Sequence, residues 1–328
     1  MSGCTQTGKP LIAILMAVYE PRMDWLREQL ESLEAQTYPN LRLYIRDDCS
    51  PTVSFEEIKR CVAACIHSLP YEIKQNEKNL GSNGTFELLT CEAEGEYFAY
   101  CDQDDVWLPE KLAVLQEELE RSGAQLVCSD MYIIDGNGKQ TAGSITKVRR
   151  HHKFRSGEGL AAELLISNFV TGCTMLIRSD AAKAAVPFCP YMVHDHYLAL
   201  CTAMKGSILS LPRRLIRYRI HGANQTGLMA GVNDRASYIE VRIGELRRRL
   251  EWLRERLPGQ DARMKEELED RLCWVRAREQ NLNGQGGKRT VWAYRRFGPR
   301  ASLFELAATW LPERLFLQVV ELARHNKL

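Results

Sequence analysis

Unbroken apolar runs of strand length alternate with stretches of helical periodicity through the first two thirds of the chain. Residues 11–18 are continuously apolar, as in a strand buried on both faces. Pro21 opens a helix that carries Trp25, Leu26, Leu30 and Leu33 at helical spacing. Residues 41–45 predict a second strand, ending at Asp47-Asp48-Cys49-Ser50-Pro51, and a helix over 55–67 aligns Ile58, Val62 and Ile66. A third strand at 71–74 runs into Asn79-Leu80-Gly81-Ser82-Asn83-Gly84, followed by a helix, a strand at 97–101 and a helix near 109–121. Residues 125–134 predict a fifth strand, turned by Asp135-Gly136-Asn137-Gly138. Farther on, residues 171–177 read as a strand entered through Gly172, residues 194–204 as an apolar helix, and 208–211 and 215–220 as two short strands. This alternation predicts an α/β fold, a mostly parallel central sheet flanked by helices.

The pattern changes after about residue 233. Ile239, Ile243, Leu246, Leu250, Leu253 and Leu257 recur in steps of four and three, the spacing of a coiled-coil seam. Pro258-Gly259-Gln260 breaks the run, and Asp261 can cap a second helix with Met264, Leu268, Leu272 and Val275 on one side. A helical hairpin follows, whose seam is buried either within the chain or against a second copy in a homodimer. The tail interleaves Trp292, Tyr294, Phe297, Phe304, Trp310 and Phe316 with Arg295, Arg296, Arg300 and Arg314. That mixture suits either packing onto the rest of the chain or peripheral contact with an anionic membrane face. The expected organisation is one domain over 1–232 and a C-terminal helical extension over 233–328.

The 328 residues, 45% hydrophobic and 26% charged, are those of a globular protein able to bury one large core. A formal net charge of +2 argues against wholesale nucleic-acid binding. Of the 11 cysteines, Cys101, Cys128 and Cys173 lie in apolar runs and Cys61 and Cys65 one helical turn apart, so they read as small buried hydrophobes of a reducing compartment. Residues 1–9 lack the apolar core of a signal peptide, and no apolar run approaches the ~18 residues of a membrane span. The expected location is cytoplasmic. The basic run at 147–155 reads as a solvated loop.

The candidate chemistry lies where the fourth strand ends. Tyr97-Phe98-Ala99-Tyr100-Cys101 stops abruptly at Asp102-Gln103-Asp104-Asp105-Val106-Trp107. Three acids this close repel and raise one another's pKa unless a cation neutralises them. Hard oxygen ligands suit Mn²⁺ or Mg²⁺, which commonly also holds phosphate oxygens. In a parallel sheet the strand ends carrying Tyr19, Glu20, Asp47, Asp48, Gly81, Asp102 and Asp104 share one edge, where open α/β sheets bind ligands. Such a set offers an aromatic face for a base, a carboxylate for its N–H, close backbone approach at a glycine and a metal for a diphosphate. Neither a dinucleotide-binding G-x-G-x-x-G after the first strand nor a P-loop is present.

The sequence resembles the family 2 inverting glycosyltransferases of the A-type nucleotide-sugar-binding fold, and most of all their rhamnosyltransferase-like branch. The resemblance rests on residues 12–19, Tyr44-Ile45-Arg46-Asp47-Asp48-Cys49-Ser50, Asn79-Leu80-Gly81 and the run from Cys101 to Leu112. It continues through Gly172-Cys173-Thr174, His194-Asp195 and Tyr218-Arg219-Ile220-His221-Gly222-Ala223-Asn224. These pieces stand in the family's order and cover about residues 10 to 227. Two pieces depart from its pattern. Ala17-Val18-Tyr19-Glu20 stands where Pro-Thr-Tyr-Asn is usual, and Thr85-Phe86 where Asn-Phe is common. Both bear on donor fit, and neither removes a charged group.

The resemblance implies a role for each residue. Tyr19 packs on the base, Asp48 accepts its ring N–H and Asp47 is more structural. Asp102 lies near the ribose or the metal shell, Asp104 ligates the divalent ion, and His221 approaches the ion or the diphosphate. Asp195 is the general base that deprotonates the acceptor. The implied donor is a nucleotide-diphospho-sugar, dTDP-rhamnose or a UDP-sugar, and the implied acceptor a saccharide or lipid-linked glycan of a surface polysaccharide. Two other readings of the residues stay open. A nucleotidyltransferase making the activated sugar would want a Gly-rich basic loop after the first strand, where residues 17–22 hold one Arg and no Gly. An inactive sugar-nucleotide-binding or scaffold protein would not need Asp104 and Asp195.

Overall fold

The computed structural model describes residues 8–149, 151–221 and 231–324. In β1 (Ile12–Val18), residues Ile12 through Met16 are fully buried, because helices cover both faces of the sheet. The α1 helix (Met23–Glu34) turns Trp25, Leu26, Leu30 and Leu33 inward, and β2 (Leu41–Asp47) returns parallel to β1. Ser54 caps α2 (Phe55–Cys65) by accepting from Glu57 N, and β3 (Tyr71–Gln75) extends the sheet beside β2. After α3 (Gly81–Glu92), β4 (Tyr97–Cys101) pairs with the other side of β1. Register sets Val18 opposite Asp47, Asp47 opposite Gln75 and Met16 opposite Cys101, so the loops that follow these strands leave from one edge.

The rest of the sheet mixes directions. The chain continues through β5 (Val106–Trp107), α4 (Lys111–Ser122), β6 (Leu126–Ile134), β7 (Gln140–Ala142), α5 (Ile145–Val148) and α6 (Ala161–Leu164). It then forms β8 (Met175–Arg178), α7 (Ser179–Lys183), α8 (His194–Ala203) and β9 (Ile208–Arg219). The strand order is β3-β2-β1-β4-β8-β6-β9-β5, with β7 on β6. The long pairings, β1–β2, β1–β4, β2–β3 and β6–β9, are parallel; the antiparallel ones involving β5, β7 and β8 are only two or three residues long. The α/β expectation holds. The two short strands expected at 208–220 are one strand, since its pairing with β6 resumes from Leu211 to Arg214 across a bulge at Pro212 and Arg213. Proline has no N–H to give a ladder, so it is accommodated where the pairing skips.

Two compact units divide the chain. The first runs through Ala161, takes up Asn168–Phe188, and continues from Val193 to the end of β9. The second takes Ala162–Ser167, Cys189–Met192 and the C-terminal helices. These are α9 (Arg235–Tyr238), a π-helical turn over Ile239–Gly244, α10 (Glu245–Arg256), α11 (Ala262–Leu282), α12 (Lys288–Ala293), α13 (Pro299–Ala308) and α14 (Glu313–Arg324). The seam residues Ile243, Leu250, Leu253 and Leu257 are buried, α10 packs on α11, and Leu268, Leu272 and Val275 are fully buried. The hairpin therefore closes within the chain, and Asp261 caps α11 by accepting from Met264 N at 2.7 Å. Arg271 Nη2 donates to Ala162 O and Arg249 Nε to Tyr191 O, which ties both short segments into this unit. Among the described residues, no helix is long and apolar enough to cross a membrane.

Candidate active site

The backbone leaves β4 at Cys101 and reaches β5 within five residues, so Asp102, Gln103, Asp104 and Asp105 form a tight loop at the sheet edge. Antiparallel pairing of β5 with β9 sets Val106 opposite Arg217 and Trp107 opposite Ile216, which brings the end of β9 alongside the acids. Arg219 N donates to Asp105 Oδ1 at 2.9 Å and Arg219 Nε to Asp104 O at 2.7 Å. Two residues later, His221 Nε2 meets Asp104 Oδ2 at 2.6 Å. The ring of Trp25 backs His221 at 4.8 Å between centroids, and the Arg219 guanidinium lies over the same indole. Residues 222–224 of that motif lie outside the described residues.

The three acids differ in surroundings. Asp105 is fully buried, and its carboxyl is pushed well up by burial and then by Asp104 and Asp102, with Arg219 N and the Cys173 thiol drawing it partly back. Asp102 is partly buried and rises to about 7, first from burial, then from the charges of Asp104 and Asp195. Ligand atoms of Asp102, Asp105 and Cys173 all lie within 4.8 Å of one another. Beneath them Lys111 is fully buried, its Nζ donating to Cys173 O at 2.6 Å and lying 2.9 Å from the Trp107 ring centroid. Burial pulls that amine down to about 7. Among the described residues, this concentration of acid has one buried amine, Lys111, and one buried guanidinium, Arg219, near it.

Asp195 reaches the same region from the first turn of α8. Val193 occupies the capping position, so Asp195 is not the helix cap. Its carboxylate accepts from Gly172 N at 2.8 Å and Asn168 Nδ2 at 3.1 Å. Burial raises it to about 6, and the bonds from Gly172, His196 and Asn168, with the charge of Arg149, keep it from rising further. Gly172 is required here, since a Cβ would lie 2.7 Å from His194 Nε2. His194 is wedged against Phe86 and Tyr100 and stays neutral, its pKa lowered by burial to about 3.

The other strand ends frame the edge. Tyr19 is 44% exposed, and its backbone is clamped by Gln103, which accepts from Tyr19 N at 2.8 Å and donates to Tyr19 O at 2.9 Å. Asp48 is buried, and both of its hydrogen bonds, from Asn76 Nδ2 and Leu80 N, fall on Oδ1. Asp47 is fully buried and holds Ser50 and Gln75. Glu20 turns to the 50–53 loop instead of the cleft, accepting from Thr52 and Val53 backbone N–H groups and the Thr52 hydroxyl. Gly81 has φ +72°, and an added Cβ would meet nothing within 4 Å, so backbone conformation is what favours glycine there.

The structure thus brings Asp104 and His221 together, with Asp102 electrostatically linked to Asp104 and to Asp195. Sequence reasoning gave no individual role to Gln103, Asp105, Lys111, Asn168 or Arg219 in this arrangement, although Asp105 stood among its three acids. Lys111 and Arg219 fall inside recognisable motifs, but a Lys in a first helical turn and an Arg near a strand end carry no signal of burial.

A family model described as Glycosyl transferase family 2 matches residues 13–184. An uncharacterized glycosyltransferase of Nostoc sp. is 30% identical over 208 residues, 61% of this chain and 62% of that protein. One of Rickettsia prowazekii is 26% identical over 249 residues, 73% of this chain and 72% of that protein. The match covers under two thirds of the Nostoc protein and 46% of an uncharacterized glycosyltransferase of Methanocaldococcus jannaschii. Among solved structures, S. aureus TarS in complex with UDP-GlcNAc aligns at TM-score 0.56 and 13% identity, over 97% of this chain and 93% of that one. A mannosyltransferase of Pyrobaculum calidifontis in complex with GDP-Man and Mn²⁺ aligns at TM-score 0.56 and 15% identity, over 98% and 86%. At these identities the likeness is one of fold.

Proposed function

The chain belongs to glycosyltransferase family 2, and from that premise we propose that it moves a hexosyl group from a nucleotide-diphospho-sugar to a hydroxyl of a saccharide or lipid-linked glycan, with inversion. The observation that carries this reading is the meeting of Asp104 and His221, beside Asp102, at the edge that Asp195 also faces. Two carboxylates and an imidazole are a donor set that suits Mn²⁺ or Mg²⁺. Burial and the mutual repulsion of the three acids push the Asp102 and Asp105 carboxyls up, a crowding that such an ion relieves. Asp104 and His221 would hold it, with Asp102 in its shell. Once bound, the ion supplies positive charge against the diphosphate leaving group.

The remaining roles belong to the chain itself. Tyr19 offers an exposed ring for the base. Asp48 Oδ2 accepts a ring N–H, which uracil and thymine both carry and cytosine lacks, so a UDP-sugar and dTDP-rhamnose both fit. Asp195, with a pKa near 6, takes the acceptor hydroxyl's proton as its oxygen bonds to the anomeric carbon. The bond from that carbon to the diphosphate breaks on the opposite face, which inverts the centre and releases a nucleoside diphosphate. Residues 1–232 would carry this chemistry and 233–328 an extension. The test is release of nucleoside diphosphate from a panel of UDP-, dTDP- and GDP-sugars with Mn²⁺, with the product anomer read by NMR. Retention of configuration, or no release from any donor, would overturn the reading.

A further inference from the structure

The most exposed large apolar side chains lie beyond α11. Trp310 is 78% exposed, Leu303 53% and Trp292 52%. Their placement is continuous. Lys288 and Trp292 stand one turn apart on α12, and Lys288 Nζ lies 4.2 Å from the Trp310 ring centroid. Leu303 and Ala307 stand one turn apart on α13, and Trp310 N bonds to Ala307 O just beyond its end. Other aromatics of this tail have packing partners: Phe316 is fully buried against Tyr238 and Phe304, and Phe297 packs on Trp274. The two exposed tryptophans are therefore not surplus core. A cavity of about 590 Å³ opens beside Trp310, lined by Lys288, Arg289, Thr290 and Thr309 together with glycines of the 284–287 turn.

The segment that builds this face carries charge of one sign, with Arg296 paired to Asp270 of α11. Residues 283–304 contain Lys288, Arg289, Arg295, Arg296 and Arg300 and no acid. The next acid, Glu305, is fully buried and bound to Arg278. Arg295 stacks over Trp292 as Lys288 does over Trp310, so each exposed ring carries a cation at its face. Aromatic rings flanked by cations suit the boundary between acyl chains and anionic headgroups, where the ring enters the apolar side and the cation meets phosphate.

We propose that this face, built on Trp292, Leu303 and Trp310 with Lys288, Arg289 and Arg295, docks the chain on an anionic lipid bilayer surface. Such docking would hold the enzyme beside a lipid-linked acceptor, but the inference does not depend on the donor or on the transfer reaction.

The test is co-sedimentation of the full chain with vesicles of phosphatidylcholine alone and of phosphatidylcholine mixed with phosphatidylglycerol. The chain should bind the mixed vesicles at low salt, leave them at high salt and ignore the neutral ones. Trp292→Ala with Trp310→Ala, and separately Lys288→Glu with Arg289→Glu, should each weaken binding by about tenfold or more while leaving thermal unfolding unchanged, since all four side chains are exposed. Failure of the wild-type chain to bind anionic vesicles at low salt would overturn the proposal, as would binding that both variants retain. So would sedimentation showing a dimer that the tryptophan variant dissociates, because a second copy would then be the occupant of this face.

Discussion

Glu305 and Arg278 in the helical unit form a closed pair. Arg278 Nε and Nη2 reach both carboxylate oxygens at 2.6 and 2.5 Å, and the Tyr238 hydroxyl adds a third bond at 2.8 Å, with the carboxylate fully buried. The acids after β4 are arranged otherwise. Asp102, Asp104 and Asp105 crowd one loop, the carboxyls of Asp102 and Asp105 are pushed up, and the nearby Lys111 gives its hydrogen bond to a backbone carbonyl. Burial costs a charge several kcal/mol unless partners compensate it. The helical unit meets that cost within the protein, and its pair is structural. The strand-end loop meets it only in part, through Arg219 N, His221 and the Cys173 thiol, as the proposed site would if further counter-charge arrived with a ligand. The contrast separates charge that maintains the fold from charge reserved for chemistry, and it can be attacked from either side.

The largest effect should come from the reaction itself. Asp195→Asn should lower kcat by about two to four orders of magnitude with donor binding retained, the usual worth of a positioned base. Parallel loss of nucleotide binding and thermal stability would assign Asp195 to fastening the 168–172 segment. Asp104→Ala should remove metal-dependent transfer while the Tm stays level or rises, because like charges are relieved.

The mirror experiment is in the helical unit. Arg278→Ala should destabilise the fold by about 3–5 kcal/mol, leaving Glu305 buried and unpaired, whereas apolar replacement of both partners should cost far less. Chemical denaturation of the single and double variants checks this. Equal losses in both would mean that the pair is no closed unit.

A smaller effect is expected from pH. With Asp195 near pKa 6 and needed as carboxylate, kcat/KM should fall about tenfold per pH unit below about 6, and Asp195→Asn should flatten that limb. The sign for folding is opposite. A carboxyl raised from 3.8 to about 6 in the fold contributes stability below about 4 that is lost as pH rises through 6. An acid limb that survives in Asp195→Asn would move the titration to another group. The mildest change is His221→Ala, which should raise the Mn²⁺ concentration giving half-maximal activity without altering the unfolding midpoint.

Most of the sheet was legible, because β1 and β4 are unbroken apolar runs and the helices between strands carry clear faces. The hairpin was legible for the same reason, down to the Asp261 cap. Pro212 made one strand look like two, since a local breaker cannot reveal that its neighbours resume pairing with β6. The two-residue β5 is too short to show periodicity, yet it carries Asp104 to the end of β9. Acid density pointed to Asp104, but not to the inward turn of Asp105, which depends on Arg219 more than a hundred residues away. Glu20 looked like a cleft residue from its position after β1, and its hydrogen bonds to Thr52 and Val53 are set by the neighbouring loop. Burial of Lys111 likewise depends on tertiary packing against Trp107 and Cys173.

The measurement that bears most directly on the central claim is thermal unfolding with Mn²⁺ alone, UDP alone, and both together, in the wild-type chain and in Asp104→Ala. If the strand-end acids await a metal and a diphosphate, the two ligands together should stabilise the wild type by about 2–3 kcal/mol near a hundredfold excess over Kd, and each alone by much less. Asp104→Ala should lose that synergy. An equal rise with UDP in the absence of metal, or one that Asp104→Ala preserves, would contradict the account.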